Sequence, residues 1–96
     1  MVRTDISRGL QSANLIHGAG ESSPGNLPEG THAVALAVPD ELALHHLAAK
    51  LEAADVRFVR IVESDAPYAG ALMALGLVPA RKETLRRHLS SYPLLR

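Results

Sequence analysis

The sequence predicts a single α/β domain over residues 1–96: a four-stranded mixed β-sheet packed with helices, in the order β-α-β-α-β-β-α. Three observations carry this. The length, 96 residues, allows one modest core and no second domain. Hydrophobic residues make up 47% of the chain and aromatic residues only 3%, so the core is built from Ala, Leu and Val. That composition suits helices laid on a sheet better than an aromatic-rich sandwich. Apolar runs of strand length also alternate with stretches of helical spacing.

Residues 2–6 read as the first strand. Residues 8–20 read as a helix, with Leu10, Ala13, Ile16 and His17 at helical spacing and Gly18 and Gly20 helping to end it. The segment from Glu21 to Gly30 is rich in Ser, Pro, Gly and Asn and reads as one long loop. Thr31 to Val38 is nearly all apolar, the pattern of a central strand buried on both faces, and Pro39 stops it. Asp40 then caps a helix over 41–54 that Asp55 ends. Arg57 to Val62 alternates polar and apolar residues, as a strand with one solvated face does. After a polar turn over 63–70, Ala71 to Val78 reads as another strand. So short a connection makes this pair antiparallel. A last helix is expected from Pro79 to about His88, with Tyr92 to Leu95 extended.

Composition excludes several classes. With no cysteine there are no disulfides and no thiolate metal sites. No apolar stretch reaches membrane-spanning length, and Arg3, Asp5 and Arg8 interrupt any apolar run at the N-terminus, so a soluble cytoplasmic protein is expected. Formal net charge is zero, which argues against a chain wrapped in nucleic acid on all sides. The charge is nonetheless uneven, because Arg81, Lys82, Arg86, Arg87 and Arg96 face only Glu83. Such a cluster is either a phosphate-binding patch or a solvated helix face with cations near its C-terminus. The adjacent His45 and His46 point about 100° apart on a helix and do not chelate together, so no metal and no cofactor is expected.

Three motifs now stand in order. They are Val2-Arg3-Thr4-Asp5 followed by Arg8-Gly9, the helix segment Ala13-Asn14-Leu15-Ile16-His17, and Asp65-Ala66 ahead of a strand ending at Pro79. Together they resemble the peptidyl-tRNA hydrolase type 2 family, which opens on a V-R-x-D-L strand and continues with a G-K-x-A-A-Q-x-x-H-A helix. A D-A-G turn, a strand closing on G-P and a terminal H-L-K segment follow, the last resembling His88-Leu89 here. The resemblance spans Val2 to about Leu89. It implies hydrolysis of the ester between a peptide and the terminal ribose of tRNA. His17 falls on the helix histidine, Asn14 on the glutamine before it, Asp65 on the aspartate of the turn and Gly9 on the glycine opening the helix. This chain departs from the pattern where the family lysine is Leu10, where the turn glycine is Pro67, and where Tyr68 to Met73 lacks the usual threonines. These departures bear on catalysis more than on fold.

On that reading His17 and Asp65 do the chemistry, as base or orienting group and as carboxylate, while Asn14 orients. Arg3, Arg8, Gly9, Arg81, Lys82 and Arg86 hold phosphate. Taken alone, a helix histidine or an acid in a turn is as readily an ordinary solvated residue. The alternative is a non-catalytic module of the same fold that binds tRNA or a protein partner. A third reading is a domain that pairs with a second copy to form a homodimer, if Leu10, Leu15 and Leu27-Pro28 form an exposed patch.

Overall fold

Seven elements appear in the computed structural model, which describes all residues from Met1 to Arg96. They are β1 (Val2–Arg3), α1 (Arg8–Ser22), β2 (Ala37–Val38), α2 (Glu41–Ala53), β3 (Phe58–Val62), β4 (Leu72–Leu77) and α3 (Lys82–Leu89). The order β-α-β-α-β-β-α is the one the sequence predicts. The sheet runs β2-β1-β4-β3, with β1 parallel to β2 and β4 antiparallel to both β1 and β3. No helix is long and apolar enough to cross a membrane.

The sheet divides the core in two. On one face Leu44, Leu47, Ala48 and Leu51 of α2 pack on Leu72, Leu75, Val38 and Met1, joined by Leu89 and Tyr92 from the C-terminal region. Leu44, Leu47 and Leu51 are fully buried, worth about 2 kcal/mol each in apolar area removed from water. On the other face Val2, Ile6, Ile61, Met73 and Ala74 pack with Leu10 and Leu15 of α1. Successive residues Met73 and Ala74 share that face because the β3–β4 ladder shifts register there. Ile61 pairs with Ala74 and Val62 with Leu72, so Met73 is the extra residue of a bulge.

Several expectations are corrected. Thr31 to Val38 is not the central strand. Only Ala37 and Val38 enter the sheet, beside β1, and Thr31 to Val34 are exposed. The central place beside β1 goes to β4, whose Leu72, Met73 and Leu75 bring more apolar area than the alanines at 33, 35 and 37. The first strand is short because the chain turns after Thr4, whose N–H still reaches the Val38 carbonyl at 2.9 Å, into the Ser7 cap of α1. Helix α1 does not stop at Gly18 or Gly20. It runs to Ser22, whose buried hydroxyl donates to the Gly18 carbonyl at 2.7 Å. Gly18 instead lies against Gly76 of β4, where the two backbones touch. Helix α3 begins at Lys82 rather than Pro79.

Local signals account for the rest. Asp40 accepts the Ala43 N–H at 2.9 Å and caps α2 as expected. Asp55 follows that helix in the left-handed region, at φ 59. The C-terminal segment is extended along the outer side of β2, with Leu95 N–H on the Ala35 carbonyl and Ala37 N–H on the Pro93 carbonyl, both at 2.9 Å. Leu10 and Leu15 are half-buried against the core, and of the suggested dimer patch Leu27 and Pro28 are exposed.

Candidate functional site

The carboxyl ends of β1 and β2 and the beginnings of α1 and α2 meet at one end of the sheet, the region where open α/β folds place their ligands. Arg3, the last residue of β1, is only 8% exposed there. Its Nε and Nη2 donate to the two carboxylate oxygens of Asp5 at 2.6 and 2.7 Å. Nη1 donates to the Leu72 carbonyl at 3.4 Å and stands 3.8 Å from Glu41 Oε1. The guanidinium carbon lies 5.9 Å from the centre of the Tyr68 ring, on the β3–β4 connection. Glu41 opens α2, accepts the Leu72 N–H at 2.8 Å and lies 3.4 Å from His45 Nε2 one turn on.

This network shapes its own ionisation. The hydrogen bond from Arg3 holds the Asp5 carboxyl below its usual range, and the same bond raises the Arg3 guanidinium. The Leu72 backbone N–H does most to hold Glu41 below the ordinary glutamate range, with His45 and Arg3 adding to it. Arg3 therefore ties β1, β4 and α2 together, and its fork is engaged within the chain rather than turned to an outside phosphate. Asp5, Glu41, His45 and Tyr68 were not among the residues assigned to a site from sequence. Two signals point to them: Asp5 lies two residues from Arg3 on an extended run, and Glu41 and His45 stand four apart on one helix face.

The other residues assigned from sequence are dispersed. Arg8 and Gly9 are exposed on the first turn of α1, and Leu10 packs against the core. Asn14 is buried, and its amide donates to the Leu10 carbonyl of its own helix at 2.8 Å. His17 and Asp65 are both exposed. His17 adjoins Gly18, which sits over Gly76, whereas Asp65 lies in the connection that precedes Leu72. No hydrogen bond or ion pair joins His17 to Asp65. The Asp65 backbone N–H donates to Glu63 Oε1 at 3.2 Å. No three His, Asp or Glu side chains converge to hold a metal ion.

Away from the sheet end, α3 carries Arg81 at its cap and Lys82, Arg86 and Arg87 along its length, all exposed. None of the four enters an ion pair, in contrast to Arg60, which pairs with Glu52. Lys82, Glu83, Arg86 and Arg87 line an open recess of about 500 Å³. A smaller recess of about 200 Å³ lies between the α2–β3 turn and the start of α3. Lys50 of α2 reaches the His88 carbonyl at 3.3 Å and fixes the far end of α3 to the body. No protein-family model matches the chain, and comparison with curated proteins finds no relative.

Proposed function

We propose that this chain is a tRNA- or RNA-binding module, related to the family its motifs resemble, that holds phosphates on α3. The observation that carries the reading is the row of unpaired cations Arg81, Lys82, Arg86 and Arg87 on one exposed helix, opposed by Glu83 alone. A row of four cations without internal partners is suited to a phosphate backbone, and the motif order Val2 to Asp5, Arg8-Gly9 and Asp65-Ala66 favours tRNA as the polyanion. Neutralising four phosphates gives a log–log salt slope of about −3.

A second reading, cleavage of the ester between peptide and tRNA, is favoured by one observation: the His45–Glu41 pair at the ligand end of the sheet, beside Arg3. A carboxylate one turn away can orient the imidazole as a general base. Both readings are tested by acyl release from an N-blocked aminoacyl-tRNA, run beside tRNA binding at several salt concentrations. Salt-dependent binding without turnover supports the module. Turnover that collapses in His45→Ala makes the chain an esterase with its base at the sheet end. Collapse in His17→Ala instead restores His17 as the base, with Asp65 and Asn14 as its partners. Binding that ignores salt refutes the proposed phosphate row.

A further inference from the structure

We propose that β3 is the contact surface for a second copy of this chain, the two β3 strands pairing antiparallel about a two-fold axis at Arg60. Strand β3 closes one side of the sheet, whose order is β2-β1-β4-β3. The opposite side is already covered, since the C-terminal segment bonds along β2 through Pro93 and Leu95. On β3 no segment plays that part. The Val78 N–H donates to the Arg57 carbonyl at 3.1 Å and the Glu63 N–H to the Ala71 carbonyl at 3.0 Å. Residues 57, 59, 61 and 63 therefore turn their backbone groups to β4. Alternation leaves the N–H and C=O of Phe58, Arg60 and Val62 on the open edge, a row able to pair with another strand.

The strand is complementary to itself. When two antiparallel copies set Arg60 opposite Arg60, Phe58 meets the partner's Val62, and every outward residue faces an outward residue. Each such pair exchanges two N–H···O bonds, and no other antiparallel register engages all of them. The half-buried Phe58 then lies across from Val62, an apolar residue that is 53% exposed in the single chain. One residue further out, Arg57 stands opposite the partner's Glu63. Arg57 is exposed and in no ion pair, and the Glu63 carboxylate holds only the N–H groups of Ser64 and Asp65. Pairing thus joins opposite charges at both ends of the strand. At the axis two Arg60 side chains are neighbours, but each is paired with Glu52 of its own chain and lies 5.1 Å over its own Phe58 ring. The four charges there balance. This charge complementarity selects a second copy as the occupant, and it holds whether or not α3 binds RNA.

The test follows the full chain by sedimentation equilibrium and amide hydrogen exchange over a wide concentration series. The mass should rise from 10.2 kDa toward twice that value. Over the same range the amides of Phe58, Arg60 and Val62 should pass from rapid to slow exchange. Arg60→Pro removes an outward N–H that β4 does not use and should leave a folded monomer. Arg57→Glu sets like charges opposite each other at both ends and should weaken association about tenfold. Glu63→Arg does the same with the other sign. An equimolar mixture of these two charge variants restores both opposite-charge pairs and should associate as tightly as the parent. If the proline variant fails to fold, the charge variants decide alone. A parent that stays at 10.2 kDa, with those amides in rapid exchange throughout, overturns the proposal and leaves the edge to a strand of another protein. Association that survives in a folded Arg60→Pro, or a mixture no tighter than its separate components, overturns it as well.

Discussion

Replacing Gly76 with alanine tests how α1 is seated on the sheet. A Cβ at this position would stand 2.6 Å from the Gly18 carbonyl carbon and 2.8 Å from its Cα, with the carbonyl oxygen closer still. These are backbone atoms in the middle of a helix, so no rotamer change relieves the overlap. Restoring ordinary contact requires α1 to retreat by about 1 Å, and a gap of that size forfeits between a quarter and a half of each dispersion contact beneath the helix. Val2, Ile6, Ile61, Met73 and Ala74 make up that layer. The cost is about 3 kcal/mol, at the upper end for overpacking, and a Tm lower by roughly 15 °C in a domain of this length. Gly18→Ala probes the same contact from the other side with the opposite sign. Its Cβ would lie 3.4 Å from Gly76 Cα and 3.8 Å from Ile61 Cγ1, ordinary packing distances. Alanine in a helix interior is favoured over glycine by about 1 kcal/mol. Urea titrations of both variants against the parent measure the difference. A Gly76→Ala protein within about 1 kcal/mol of the parent, or a Gly18→Ala protein less stable than Gly76→Ala, would refute this account of the interface.

Three further predictions concern charge and backbone. Met1 is buried, its amino group donates to the Leu75 carbonyl at 3.1 Å, and burial lowers that group's pKa from 8.0 to about 6. Between these values the unfolded chain binds the proton that the folded chain refuses. Stability therefore falls as pH drops from about 8 to about 6, by about 3 kcal/mol in all; an amine midpoint near 8.0 in an NMR titration would refute the burial argument. Asp5 and Glu41 act in the other direction. Their folded pKa values lie below the ordinary 3.8 and 4.5, so their contribution is complete above that range and is lost as pH falls through the lowered values. Asp5→Asn should remove its part of the acid-side slope and cost about 2 kcal/mol at neutral pH, because Arg3 keeps its charge in a buried place; unchanged thermal melts at pH 7 would count against it. Asp55→Gly should stabilise the fold by about 0.5 kcal/mol, since glycine adopts the left-handed conformation without steric cost; a lower urea midpoint would show that the aspartate side chain contributes more than its backbone strain removes.

The sequence by itself determined what local chemistry controls. The seven elements stand in the order their patterns predict, because caps, turn formers and apolar periodicity act over a few residues. Asp40 bonds the Ala43 N–H whatever else the chain does, and ten or so residues between β3 and β4 allow only an antiparallel pair. The basic run from Arg81 to Arg87 was equally legible, since it lies on one short helix. What depends on distant partners was left to the tertiary structure. Two apolar runs, at 31–38 and 71–78, look alike as strings, and the side-chain area each could bury decided which became central. Gly18 read as a helix stop until the packed sheet set Gly76 against it. His17 and Asp65 read as partners through motif order, yet no ion pair joins them, while Arg3, Asp5 and Glu41 come together from β1, the turn after it and α2. Convergence of that kind is fixed by strand register and helix direction, and these are properties of the whole sheet rather than of any segment in it.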